Sequence, residues 1–343
     1  MPGDSRRLIR LIVVFSVAAL AVLALLIVVG TVGGQDTISE NPPSDSGNPV
    51  IPPADSTVSR SREVQLYFRF GSEGYLACET RLIEARASER LEAAVLRELI
   101  RGPSSEHAEL TRLIQAQTQI GEISEQGDTL YVTLSADFLR SAVNQPEGWG
   151  EDAALVRENF LQRRLAVYSV VNTLSNLGTY SHVQILVDSE GEGVGELLPR
   201  RQFGFVDDAA SKEKPLPPLP YEDSVVLDAE NTVACVLQAL VEKNWSSAYA
   251  FVASQNESGI VRPLYDTAAA NLQRFEIAVQ SYEIVGSAVS HDGQSSVVRA
   301  DIEYRRADGS TVKRESYPVR LLLHGEIWKL DYERLLSLLS LSN

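Results

Sequence analysis

Residues able to do chemistry are few in this chain, and their spacing argues against most reactions. The four histidines, His107, His182, His291 and His324, are spread out. None forms an H-x-x-x-H or H-E-x-x-H arrangement, and no cysteine joins them at metal-ligand spacing, so no metal site is expected. His291 precedes Asp292-Gly293 and His324 precedes Gly325, which reads as two turns. No Gly-x-Ser-x-Gly elbow is present to offer a nucleophile. Gly191-Glu-Gly-Val-Gly195 follows a predicted strand, as a dinucleotide loop would. Its spacing differs from the fingerprint, Pro199 interrupts any following helix, and Glu192 and Glu196 would repel a pyrophosphate. It is expected to be a plain loop. Cys78 and Cys235 lie in apolar surroundings and read as small buried hydrophobes, with a bridge between them left open.

The elements that would position such residues are legible from periodicity. Residues 64–70 alternate Val64, Leu66, Phe68 and Phe70 against Gln65, Tyr67 and Arg69, the pattern of a half-buried strand. Residues 75–83 supply its antiparallel neighbour. Ser88 is expected to cap a helix through Ile100, with Leu91, Ala94, Val95 and Leu99 inward and Gly102-Pro103 as its stop. Residues 120–126 and 129–135 form a hairpin about Gly127-Asp128, burying Leu130, Val132 and Leu134. A long helix over residues 152–177 carries Val167, Val170, Val171, Leu174 and Leu177 and closes at Gly178. Residues 182–188 form another strand, with Val183, Ile185 and Val187 inward. Residues 63–206 therefore predict an α+β sandwich, a mixed sheet with helices on one face.

Residues 207–228 contain Lys214-Pro-Leu-Pro-Pro-Leu-Pro220, expected to be an extended polyproline spacer rather than an SH3-type ligand. Residues 229–343 open with helices near 231–243, 246–252 and 264–274. Strands over 275–285, 296–305, 312–323 and 326–332 follow, with turns at Asp308-Gly309 and His324-Gly325. Helices first and a curved antiparallel sheet afterwards predict a second α+β unit, cone-like in form.

The chain also declares a location. Residues 11–34 carry no charge and follow Arg6, Arg7 and Arg10. Such a helix is about 36 Å long, enough to span a bilayer, and longer than the apolar run of a signal peptide. The positive-inside rule keeps residues 1–10 as a cytoplasmic stub and sends residues 35–343 across the cell membrane in a single pass. Residues 35–62, rich in Ser, Pro, Asp and Gly, read as a disordered linker. Net charge over 343 residues is −15, and the stub is basic, so the exported part is more acidic still. Nucleic acid and anionic lipid headgroups are unfavourable partners for such a surface. The bilayer is contacted through the N-terminal helix.

Residues 64–188 resemble the GerM domain of sporulation and germination proteins. The matching blocks are Val64-Gln-Leu-Tyr-Phe, Leu99-Ile-Arg-Gly-Pro103 and Leu130-Tyr-Val-Thr-Leu-Ser-Ala-Asp-Phe138, then Tyr168-Ser-Val-Val-Asn-Thr-Leu174 and Val183-Gln-Ile-Leu-Val-Asp188. The family's Leu-Pro-x-Gly-Thr turn is replaced here by Ile114-Gln-Ala-Gln-Thr118, so that loop must take a different path. The resemblance implies an extracytoplasmic, non-enzymatic module. Residues 229–343 are similar to the nuclear-transport-factor-like (SnoaL-like) cone fold, through Asn244-Trp-Ser-Ser-Ala-Tyr-Ala-Phe251 and Gly325-Glu-Ile-Trp-Lys-Leu-Asp331.

Some cone-fold proteins are isomerases with an acidic base and a tyrosine inside the cone. Period-two alternation puts Asp301 on the solvated face of its strand, Asp331 at a strand end, and Tyr249, Tyr282 and Trp328 among core or cone-lining aromatics. No acid–base pair emerges. No catalytic, cofactor-binding or metal-binding residue is therefore assigned, and no cofactor is expected. Asn244-Trp-Ser and Asn256-Glu-Ser are sequons without consequence in a bacterial setting. The expected function is binding: an envelope assembly module, in sporulation or germination, whose partners are other envelope or membrane proteins. The alternative is a small-molecule ligand held in the C-terminal domain.

Overall fold

β1 (Arg60–Phe70) and β2 (Leu76–Ala85) form an antiparallel ribbon in which Val64 stands opposite Arg81 and Tyr67 opposite Cys78. β3 (Leu110–Thr111) adds to the far end of β1. The computed structural model describes residues 60–86, 88–141 and 148–340. The membrane anchor expected at residues 11–34 lies outside them, as does the linker up to residue 59. Among the described residues no helix is long and apolar enough to cross a membrane.

From Val64 to Phe70 β1 is largely buried along both faces, although its sequence alternates, while Ser61–Glu63 are exposed. Val64, Leu66 and Phe68 share a face with Glu79 and Arg81, which is covered by α1 (Leu91–Arg101), where Glu98 pairs with Arg81 at 3.0 Å. On the opposite face, which bears Tyr67, Cys78 and Leu76, Tyr67 meets Tyr221 and Leu76 is bridged by Val226 and Leu227 of the segment leading into the C-terminal half. A half-buried strand was expected from the polar types Gln65, Tyr67 and Arg69. Their polar atoms instead find partners: Tyr67 meets the Tyr221 hydroxyl at 2.9 Å, and Arg69 pairs with Glu158 and the Ser72 and Glu73 carbonyls. Desolvation is thereby compensated.

α1 starts after Arg90, whose side chain makes no capping bond, and not after Ser88 as expected. Glu89 is drawn instead into an ion pair with Arg97, and Glu92 supplies the first-turn acid that suits the helix dipole. Gly102, at φ 95°, ends the helix.

The expected single mixed sheet is two sheets. The second has the order β4 (Ile120–Gln126), β5 (Thr129–Ser135), β6 (His182–Asp188), β7 (Leu219–Pro220). β5 and β6 are parallel, joined through α2 (Ala153–Ser175), whose N-terminal N–H groups on Ala154 and Leu155 are capped by Asp152. Leu130, Val132 and Leu134 are buried as their alternation requires. α2 also closes an open stretch of β1: Ser169 donates to the Tyr67 carbonyl at 2.6 Å, and the Tyr67 amide donates to Thr173 at 3.1 Å. Two hydroxyls take the place of a missing strand.

The Pro-rich segment is not a spacer in solvent. Leu216 is buried, Leu219 and Pro220 pair with Val183 and His182, and the Tyr221 ring meets Tyr67 edge-on at 5.9 Å. A polyproline backbone makes no internal hydrogen bonds, so its carbonyls are available to others. The Leu216 carbonyl accepts from Gln184 and the Lys214 carbonyl from the Arg200 amide.

The C-terminal half begins with α3 (Ala229–Val241), capped by Asp228, then α4 (Trp245–Ala250), capped by Asn244, and α5 (Tyr265–Leu272). β8 (Ala278–Val289), β9 (Ser295–Arg305), β10 (Thr311–His324) and β11 (Ile327–Lys329) form an antiparallel meander with α3 packed on it. Val298, Ala300, Ile302 and Tyr304 of β9 face inward, as expected. The last expected strand is shorter, because the chain turns at Asp331 into α6 (Tyr332–Leu338).

The two halves pack on each other. The Leu227 amide donates to the Leu76 carbonyl at 2.8 Å, and the Phe70 and Phe251 rings lie 4.6 Å apart. All described residues fall in one compact unit, Ser56–Asn343, with a continuous apolar core. The architecture is mixed α+β with several sheets.

Candidate functional site

The histidines stay apart in space. His182 is half-buried, 2.9 Å from the Ser181 hydroxyl, and His291 is an exposed turn residue. His107 lies against the Gly325 turn. His324 is half-buried, with no hydrogen-bond partner on Nε2. Among the described residues no group of His, Cys, Asp and Glu is arranged to hold a metal ion. Cys78 and Cys235 are buried, free thiols, and burial pushes each up to about 12. The bridge left open by the sequence is not formed.

The glycine loop after β6 already holds an anion of its own. Asp188 accepts from the amides of Gly191, Glu192 and Gly193 at 2.7–3.1 Å. These bonds, that of Gly193 foremost, hold its carboxyl below the usual range. A phosphate would have to displace a covalently tethered carboxylate. Asp301 lies on the outer face of β9, where it pairs with Lys313 at 2.9 Å and accepts from the Ser316 amide at 2.8 Å. Ser316 has φ 49°, so Asp301 secures a strained bulge in β10. Tyr249 donates to the Pro263 carbonyl and sits under Arg262. Tyr282 and Trp328 are half-buried.

One charged cluster was missed by sequence reasoning. Lys329 donates to Glu109 at 2.5 Å, beside His324 and Asp331, at the junction of the halves. Asp331 Oδ1 is buried without a partner, and Arg334 stands 3.7 Å from Oδ2. No signal in the sequence joins Glu109 to a residue 220 positions away. The pair Lys329–Glu109 is already satisfied, which makes this a structural tie more than a reactive site.

Clefts among the described residues offer binding surfaces. The first, of about 450 Å³, lies at the uncovered end of the β1–β2 ribbon. Arg62, Gln65, Thr80, Asn176 and Glu326 line it. Its polar groups tie the walls together: Arg62 to the Leu177 carbonyl at 2.7 Å, Asn176 to Gln65 at 2.6 Å, and Thr80 to Glu326 at 3.2 Å. Leu82, 61% exposed, projects from the same face of β2 as Thr80. The second cleft, of about 270 Å³, lies between the helices and sheet of the C-terminal half, lined by Leu240, Trp245, Leu272, Phe275, Ile277 and Leu339.

Residues 65–192 match the family model Germane, described as sporulation and spore germination, and the GerM resemblance of the first half holds. The tandem GerMN domains of the sporulation protein GerM from Bacillus subtilis are similar at 14% identity and a TM-score of 0.27. That similarity covers 40% of this chain and 43% of the solved one, so this chain spans less than half of that structure. A putative lipoprotein from Clostridium perfringens is similar at 19% identity and a TM-score of 0.24, over 48% of this chain and 89% of the other. No curated protein matches. The family match ends at residue 192 and leaves the cone-fold resemblance of residues 229–343 without support.

Proposed function

We propose that this chain is a membrane-anchored, extracytoplasmic assembly module of the bacterial cell envelope, acting in sporulation or spore germination through contacts with other envelope proteins. The Germane match over residues 65–192 is the observation that carries the reading. The uncovered end of the β1–β2 ribbon is the contact surface: Gln65, Thr80, Asn176 and Leu177 of the matched region line it together with Arg62 and Glu326 from outside it, its floor is polar, and the exposed Leu82 stands on the same strand face as Thr80. A polar groove with an apolar anchor beside it suits protein recognition. Among the described residues no acid–base pair faces a cavity, and the role proposed is binding.

Affinity purification of the full-length chain from its own membranes tests this, with Leu82→Asp as the comparison. Envelope proteins recovered with the native chain and lost with the variant support the reading. Equal recovery by both removes this surface from it.

A second reading rests on the C-terminal cleft, whose lining is largely apolar and includes Trp245 and Phe275. In that reading the cone-like half holds a small apolar ligand and the first half is structural. Ligand retained after purification, and lost on Leu272→Arg, would favour it.

A further inference from the structure

The first half carries a cleft of about 420 Å³ lined by Arg97, Ile100, Arg101, Arg112, Ala116, Thr118 and Ile120. Three of these seven are arginines and none is acidic, in a chain of net charge −15. The guanidiniums come from two elements. Arg97 and Arg101 lie one turn apart on α1, and Arg112 follows β3. Gly102 makes their convergence feasible: a Cβ there would stand 2.7 Å from Arg112 Nε.

Thr118 provides an independent sign. It is 6% exposed, and its hydroxyl has no hydrogen-bond partner, yet it lines this cleft. A buried hydroxyl without a partner is destabilising, so an acceptor supplied from outside would relieve it. Ala116 and Thr118 belong to the loop that departs from the GerM turn, Ile114-Gln-Ala-Gln-Thr118. The departure therefore builds one wall of the cleft.

Part of the arrangement is structural. Arg112 donates to the Arg101 carbonyl at the end of α1, Arg97 pairs with Glu89, and Arg101 bonds Glu98 at 3.1 Å. Each of these contacts occupies part of a five-donor fork, and the two carboxylates involved, Glu89 and Glu98, do not line the cleft. Helix capping accounts for Arg112 but not for Arg97, Arg101 and the idle Thr118 hydroxyl gathered around one opening.

We propose that this cleft binds a phosphate-type oxyanion. Guanidinium forks match the oxygen geometry of phosphate, and three of them suit a multiply charged group better than a single carboxylate. The volume exceeds that of one inorganic ion, which fits a diphosphate or the phosphate of a larger molecule. Soluble phosphates and lipid headgroups share this chemistry. The site is independent of the assembly surface, which lies on the other face of the ribbon.

The test is calorimetric titration of inorganic pyrophosphate into the full chain, reconstituted in phosphatidylcholine discs at low ionic strength. Saturable binding is expected, weakening with salt, falling at least tenfold in Arg97→Gln and in Arg101→Gln, and falling several-fold in Thr118→Val. Arg97 and Arg101 side chains are 50% and 71% exposed, so these variants leave the core untouched. A second arm repeats the titration in phosphatidylglycerol discs. Weaker apparent binding there, restored to no difference by Arg97→Gln, assigns the oxyanion to a lipid headgroup, and unchanged binding assigns it to a soluble phosphate. Absence of saturable binding at millimolar pyrophosphate, or binding that the arginine variants leave unchanged, overturns the proposal.

Discussion

Lys329 in β11 donates to the Glu109 carboxylate beside β3 at 2.5 Å, tying the C-terminal half to the first half across 220 residues of sequence. Both side chains are largely buried, at 13% and 18% exposure. Burial pushes the Glu109 carboxyl up, but the hydrogen bond and charge of Lys329 outweigh it and hold the group below its usual value. The native state thus binds this proton more weakly than the unfolded chain. The stabilisation is complete above the ordinary carboxylate value of about 4.3 and is lost as pH falls through the lowered one. Lys329→Met leaves a buried carboxylate unpaired and is expected to cost about 2–3 kcal/mol at pH 7, with much of it recovered in the double variant with Glu109→Gln. Urea midpoints of the four proteins measure this. Additive losses would show that the pair does not couple the halves.

His324 gives a pH dependence in a different window. Burial and the nearby Lys329 charge lower its pKa, with Asp331 opposing. The unfolded chain then holds the proton to higher pH than the folded one. Stability is accordingly highest above about 6.5, the unperturbed value, and declines as pH drops through it towards the lowered one. His324→Phe removes the unpartnered Nε2 and should flatten the slope of stability between pH 5 and 7. An unchanged slope in the variant would assign the dependence to another group.

Among the described glycines, Gly204 is the one least able to accept a side chain. Its φ is 83°, and an added Cβ would collide with the Phe160 carbonyl and crowd the Arg164 amide of α2. Backbone cannot step aside as a flexible side chain can. Gly204→Ala is expected to destabilise by roughly 2–4 kcal/mol, combining left-handed strain with the collision. By contrast Gly127→Ala, also at positive φ but in open space, should cost only about 1 kcal/mol. Equal losses in thermal unfolding would contradict this ranking.

The cysteines should be silent in the native protein. Thiolate is the reactive form, and thiols raised to about 12 supply almost none at neutral pH. A chromogenic disulfide reagent should label neither residue in the folded chain and both after denaturation. Rapid labelling of either in native buffer would place it at a surface.

Much of the fold was legible because burial and periodicity agree. Leu130, Val132 and Leu134, and again Val298, Ala300, Ile302 and Tyr304, alternate in sequence and are buried in fact. Reading failed where polar residues are buried with partners remote in sequence. Tyr67 looks solvated until Tyr221 and the α2 hydroxyls are in place, and Arg69 until Glu158 is. The Pro-rich segment misled for a related reason, since nothing local reveals that Leu216 fills a core position. The β1–β2 cleft and the arginine cleft were not legible at all. Thr118 and Leu82 are unremarkable residue types whose significance depends on a missing partner in one case and on exposure in the other.

The β1–β2 cleft is proposed as a contact surface for envelope proteins, and site-specific photocrosslinking in the full-length chain in its own membranes tests that directly. A photoreactive residue at position 82 is compared with one at the exposed Arg299 on the outer face of β9. Discrete adducts with another envelope protein from position 82, absent from position 299, are the predicted result. No adduct from position 82, or the same adducts from both positions, would contradict it.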